Sequence, residues 1–85
     1  MPYFVYVLGT CKSSKFITYV GYTNDLKKRL LLHNKGKGAK FTRGRYWKII
    51  HKEIFRTKKE AISREYYIKG NRKLRNLIKS RYLYE

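Results

Sequence analysis

Two short runs of aromatic and β-branched residues constrain this chain most: Tyr3-Phe-Val-Tyr-Val-Leu8 and Phe16-Ile-Thr-Tyr-Val-Gly21, with the polar stretch Thr10-Cys-Lys-Ser-Ser-Lys15 between them. Such runs read as strands. Two strands joined this closely leave no room for a crossover, so they form an antiparallel hairpin. If the loop is symmetric, Gly9 faces Phe16, and Tyr6 then lies opposite Tyr19 on the same face. A one-residue slip would send one of the two tyrosines to the other face. Taken alone, such a pair is an ordinary cross-strand aromatic contact.

The rest of the chain supplies helices and one more strand. Thr23-Asn24-Asp25 offers N-cap residues before a helix over Leu26–His33,. Asn34-Lys-Gly-Lys-Gly38 ends that helix with glycines and lysines at its negative pole,. Ala39–Tyr46 is a basic connection carrying aromatics, and Trp47–Phe55 reads as a third strand. Thr57-Lys-Lys-Glu60 is a capping box opening a helix that runs to about Lys69 and stops at Gly70,. Asn71 can cap a last helix over Arg72–Tyr82, with Leu74, Leu77 and Ile78 on one side. No internal repeat interrupts this order, and 85 residues make one domain, 1–85, with a small core,.

Charge narrows the partner. The chain has 22 Lys and Arg against 5 Asp and Glu, a net charge of +17. Self-repulsion at that density opposes folding unless an anion is bound, and the usual anions are nucleic acid or a membrane surface. The cations run along the whole chain, so this is no basic tail on a neutral domain. Cys11 is alone, which excludes an intrachain disulfide and a Cys/His zinc pattern and fits a reducing cytoplasm,. The N-terminus lacks a basic signal-peptide segment, and no stretch approaches the ~20 apolar residues of a membrane span.

Helical wheels single out polar residues in apolar places. With Leu26 at zero, Leu30 lies at roughly +40°, His33 at roughly −20° and Arg29 at roughly −60°. His33 thus lies inside the apolar stripe and Arg29 on its border, one turn apart. With Ala61 at zero, Ile68 lies at roughly −20° and Glu65 at roughly +40°. A buried carboxylate pairs with a cation, takes a proton or binds a metal. The plain alternatives are a satisfied core histidine at His33 and a structural ion pair at Glu65.

Phe4-Val5-Tyr6, followed thirteen residues after its tyrosine by Tyr19-Val20-Gly21, resembles the two motifs that name the GIY-YIG nuclease family. Phe4 departs from the family's first glycine; the tyrosine is kept. Tyr19-Val-Gly-Tyr-Thr-Asn-Asp-Leu-Lys-Lys-Arg29 resembles the family's second strand leading into a helix with an arginine, and His33 follows as in many members. His33–Arg43 is similar to the small stand-alone branch of the family. Ala61-Ile-Ser-Arg-Glu65 resembles the helix that bears the family's metal glutamate. The resemblance covers roughly residues 3 to 70, leaving 71–83 as a C-terminal helix. It implies an α+β fold, a three-stranded antiparallel sheet flanked by helices.

The resemblance also implies phosphodiester hydrolysis with one divalent metal, Mg²⁺ or Mn²⁺, and a catalytic set of Tyr6, Tyr19, Arg29, His33 and Glu65. A hard cation can be held by one carboxylate plus substrate phosphate, a role for Glu65. Arg29 suits a non-bridging phosphate oxygen. A tyrosine must help deprotonate the attacking water, and Arg29, the metal and the net charge would favour its phenolate. Tyr6 is the first choice as base or relay, with Tyr19 positioning it and His33 relaying a proton or binding phosphate. Which of the three takes the proton stays open.

Lys35, Lys37, Lys40, Arg43 and Arg45 lie in or near the glycine-rich connection, where backbone and cations can approach phosphates,. Phe41 and Tyr46 can stack on unpaired bases, whereas Trp47 belongs in the core. The expected function is a nuclease of low sequence specificity, acting on DNA before RNA. The alternative is a non-catalytic binding module, for example a ribosome- or RNA-associated one. A membrane-surface protein would need a basic amphipathic helix, and Arg72–Tyr82 fits that poorly.

Overall fold

A computed structural model describes residues 1–85. Its elements are β1 (Tyr3–Lys12), β2 (Lys15–Thr23), α1 (Leu26–Asn34), β3 (Lys48–Phe55), α2 (Lys58–Lys69) and α3 (Arg72–Tyr84). The three strands form one antiparallel sheet in the order β2-β1-β3. The fold is α+β, as the sequence implies.

The hairpin is longer than its hydrophobic runs. Only Ser13 and Ser14 turn, both with positive φ, 51° and 69°. Two left-handed residues make the tight turn whose twist matches a hairpin. The turn is therefore centred one residue later than a symmetric loop between the two hydrophobic runs would place it. Tyr6 pairs with Gly21, and Tyr19 with Leu8, so the expected Tyr6–Tyr19 pairing is corrected. The difference is two residues, which preserves the face: both tyrosines still point to one side, as diagonal neighbours.

That pleat separates two packing layers. Val5, Val7 and Val20 point to one side and pack with Ala61 and Ile68 of α2 and Ile78 of α3. Tyr6 and Leu8 point to the other and pack with Trp47, Tyr19 and, from α1, Leu26 and Leu30. A bulge in the β1–β3 ladder, between Val7 and Leu8, shifts the register so that Ile49 joins the Tyr6 layer and Ile50 the valine layer,.

The caps stand where the sequence puts them. The Asp25 side chain accepts from Lys28 N at the start of α1, and Asn71 accepts from Leu74 N at the start of α3. Thr57 and Glu60 close both halves of the capping box on α2. No helix is long and apolar enough to cross a membrane.

Candidate active site

Tyr6, on the central strand, is buried among hydrophobic neighbours, so its hydroxyl requires partners,. It has two. The hydroxyl lies 2.8 Å from His33 Nε2, and Arg29 Nε approaches it at 3.4 Å. His33 projects from α1 and is fully buried, as its place in the apolar stripe requires. Its other nitrogen, Nδ1, lies 2.9 Å from Thr42 Oγ1.

Thr42 fixes the direction of this chain of bonds. Its hydroxyl donates to the carbonyl of Ala39 at 3.0 Å, and a hydroxyl has one proton to give,. It therefore accepts from His33, which carries its proton on Nδ1. In a neutral imidazole Nε2 is then the acceptor, and the proton of Tyr6 points at it. Burial, then the nearby charge of Arg29, holds His33 below the ordinary imidazole value, which keeps the ring neutral.

Tyr6 departs from expectation. Burial pushes its pKa up, against the opposing pull of the Arg29 hydrogen bond and charge. Tyr19 and the charge of Glu65 push it up further. The phenolate expected from neighbouring cations loses to desolvation, so Tyr6 is a phenol whose proton is directed at His33.

Two glycines make room for these contacts. A Cβ at Gly21, the cross-strand partner of Tyr6, would meet the Tyr6 ring carbon Cζ at 2.7 Å. The phenol thus lies across a glycine, a physical reason for glycine at the end of Tyr19-Val20-Gly21. A Cβ at Gly38 would strike the His33 ring, with Cγ 2.7 Å away. The carbonyl of Gly38 accepts from Arg29 Nη2 at 3.3 Å, so the chain after α1 covers the histidine and holds the arginine.

Asn34 anchors that covering chain. Its side chain accepts from Trp47 N at 2.6 Å and donates to Trp47 O at 3.1 Å, and the indole of Trp47 donates to Thr42 O at 2.9 Å. Asn34, Gly38 and Thr42 are the site residues that sequence reasoning missed. In the sequence Gly38 reads as part of a helix stop and of a phosphate-facing connection, and Thr42 lies in a segment without periodicity.

Tyr19 meets His33 edge to face, with ring centroids 5.1 Å apart, and stacks on Phe41 at 6.2 Å. The structure therefore brings together Tyr6, Tyr19, Arg29 and His33 on the α1 side of the sheet. Glu65 arrives from α2, the helix that packs on the valine side. Its carboxylate hydrogen-bonds none of the four and lies 3.4 Å from Lys69 Nζ, one turn along its own helix. The side chain is 18% exposed, and its charge is felt at Tyr6.

Lys35, Lys37, Lys40 and Arg43 are exposed and have no acidic partner. Arg45 is partly structural. It donates to Phe41 O at 2.8 Å and lies 5.3 Å from the centroid of the Phe41 ring, while its Nε is buried without a partner. Trp47 is fully buried, as expected.

No cluster of three His, Cys, Asp or Glu exists to hold a metal by protein groups alone. A single, largely buried carboxylate fits a hydrated hard cation shared with a substrate phosphate once its bond to Lys69 is exchanged, and does not fit zinc,.

A three-stranded sheet whose central strand carries a phenol bonded to an imidazole and an arginine from α1 defines the class of domain to which this chain is assigned. The chain belongs to the GIY-YIG family: residues 2–79 match the GIY-YIG catalytic domain. It is similar to the UPF0213 protein CPE1444 of Clostridium perfringens, 49% identical over 86 residues, covering 96% of this chain and 88% of that protein. It is also similar to the UPF0213 protein BLi00048/BL00536 of Bacillus licheniformis, 46% identical over 84 residues, covering 98% of this chain and 80% of that one. The solution NMR structure of the UPF0213 protein BH0048 from Bacillus halodurans shares 38% identity and superposes with a TM-score of 0.52, over 94% of this chain and 84% of that one.

Proposed function

We propose that this domain hydrolyses phosphodiester bonds in nucleic acid, DNA before RNA, with weak sequence preference and a requirement for Mg²⁺ or Mn²⁺. One observation carries the reading: the directed chain from the Tyr6 hydroxyl through neutral His33 to Thr42, with Arg29 against the Tyr6 oxygen. Burying Tyr6, His33 and Thr42 in this order, with Arg29 half-buried against them, is costly for a mere binding surface and suits proton transfer,.

In the proposed step, water attacks phosphorus in line with the leaving oxygen; the new P–O bond forms as the bond to the leaving oxygen breaks, and the departing alkoxide takes a proton from solvent. The Tyr6 oxygen takes a proton from that water as its own proton passes to His33 Nε2. Thr42 holds the resulting imidazolium by its Nδ1–H. Arg29 donates to a non-bridging oxygen, where charge grows in the transition state. Glu65 would hold the divalent cation together with the phosphate, after exchanging its bond to Lys69. When bound, that cation neutralises charge developing on the leaving oxygen.

The Glu65–Lys69 ion pair favours a second reading, a binding module in which Glu65 is only structural. Cleavage of a panel of single-stranded, duplex and branched DNA and RNA separates the two, in Mg²⁺, Mn²⁺ and EDTA. Metal-dependent cleavage abolished by Arg29→Ala and by Tyr6→Phe is expected. A pure protein that binds every substrate and cuts none would leave the binding module.

A further inference from the structure

Beyond the site, a groove of about 520 Å³ crosses the outer edge of β2, between α3 and the connection that carries Phe41. Phe16, Phe41, Arg72, Arg75, Asn76 and Lys79 line it. We propose that this groove takes an unpaired stretch of the nucleic-acid strand next to the scissile phosphate, with one base stacked at Phe41 and the backbone along Arg72 and Lys79. The proposal rests on the reading of the domain as a nucleic-acid phosphodiesterase and names the form of substrate that reading leaves open.

Charge is the first argument. All five acids are placed elsewhere: Asp25 and Glu60 cap helices, Glu53 pairs with Arg64 and His51, Glu65 with Lys69, and Glu85 ends the chain. Three cations therefore line a groove without a carboxylate. Arg75 is spent on the fold, since it donates to the carbonyls of Ile68 and Lys69 at the end of α2. Arg72 and Lys79 make no ion pair and remain for phosphates,.

The aromatic ring is the second argument. Phe41 is 51% exposed, a cost in water that the core does not require, because Trp47 already fills the layer beneath,. Its ring stacks on Tyr19 of β2 and is braced by Arg45 of its own connection. A fixed, half-exposed ring beside cations is a stacking platform for a base, and Arg45 adds a second planar surface. Duplex bases hide their faces from such a ring, so the occupant is unpaired. An acidic peptide would use the cations and leave the ring unexplained.

Continuity is the third argument. Phe41 stacks on Tyr19, and Tyr19 meets His33, which binds Tyr6. The groove's aromatic ring is thus tied by direct contacts to the residues around the phenol.

Binding without metal tests this. The probes are a blunt DNA duplex, the same duplex with a single-stranded tail of ten thymines, and that tail with 2-aminopurine at successive positions. The intact chain should bind the tailed duplex about tenfold more tightly and quench 2-aminopurine at one position. Phe41→Ala should abolish the quenching and most of the preference, and Phe41→Trp should restore both. Arg72→Gln with Lys79→Gln, both on α3, should bring the tailed-to-blunt affinity ratio close to one without touching Phe41 or its packing, while affinity for both duplexes falls with the two lost charges. Equal affinity for the two duplexes, or competition by polyglutamate that Phe41→Ala does not alter, would overturn the proposal. If the domain prefers tails yet cuts nothing in Mg²⁺ or Mn²⁺, the nuclease reading fails and the groove stands. If it cuts blunt and tailed duplexes alike, the groove fails and the nuclease stands.

Discussion

The two faces of the sheet are buried alike and built on opposite principles. On one, Val5, Val7, Val20, Ala61, Ile68 and Ile78 meet with no polar side chain among the fully buried groups. On the other, Tyr6, His33 and Thr42 are buried as deeply, and each hydroxyl and ring nitrogen has a partner. The valine face needs only complementary volume, and many apolar sequences would supply it. The tyrosine face needs each donor opposite its acceptor, since an unpaired buried group costs about 1–3 kcal/mol. That face is therefore the more specific of the two, as the proposed proton transfer requires and a hydrophobic core does not.

Mutations can break this contrast, beginning with the largest effect. Ile68→Ala on the valine face should cost about 2–5 kcal/mol of stability through the cavity it leaves. Cleavage per folded molecule should then stay near normal. Urea unfolding beside single-turnover cleavage checks it, and a loss of cleavage in the folded fraction would mean the faces are coupled. Glu65→Gln should do the reverse: cleavage falls at least about a hundredfold, on the order of 3 kcal/mol of transition-state stabilisation. Lys69, left behind, is half-exposed, so the melting temperature should barely move,. Cleavage at an unaltered rate would show Glu65 to be only the partner of Lys69.

Thr42→Val sharpens the contrast on the polar face itself. It keeps the volume and removes the acceptor, leaving His33 Nδ1–H unpaired in a buried place. Stability should fall by about 1–3 kcal/mol. The tautomer should also loosen, visible as a change in the imidazole ¹⁵N shifts, and Thr42→Ser should restore both. Normal shifts in the valine variant would refute the His33–Thr42 bond on which the direction of the hydrogen-bond chain rests.

How much of this was legible depended on whether the signal was local. Period-two and period-3.6 patterns carry over directly: Tyr6 and Tyr19 share a face, His33 is buried, and Thr57 and Glu60 cap α2. The hairpin centre was misplaced because apolar content marks where a strand is buried, while Ser13 and Ser14 mark where it turns. Thr42 and Asn34 were invisible because their roles depend on partners nine and thirteen residues away, across a segment with no repeat. The burial that raises Tyr6 was equally hidden, since desolvation depends on Trp47 and Leu8 closing over the ring.

The smallest effect separates the faces by pH alone. His33 titrates below the ordinary imidazole value of about 6.5, first because it is buried and then because Arg29 is near,. As pH falls past 6.5 the unfolded chain takes up that proton while the folded chain does not. The stabilisation is thus fully present above about 6.5 and declines as pH falls toward the folded value, with a slope of at most about 1.4 kcal/mol per pH unit. Tyr6 gives the mirror image. Its pKa is raised, first by burial, so its contribution is complete below the ordinary phenol value of about 10 and is lost as pH rises beyond it,. Glu53, drawn down first by its hydrogen bonds from Arg64, adds a loss only below the ordinary carboxylate range,. The interval from pH 6.5 down to about 5 therefore reports His33 with least interference from Glu53. Melting temperatures across it should decline in the intact chain and stay level in His33→Asn, whose lower overall stability does not matter to the slope. An equal decline in both proteins would move the titrating group off the tyrosine face and show that His33 takes up its proton as readily in the folded chain as in the unfolded one.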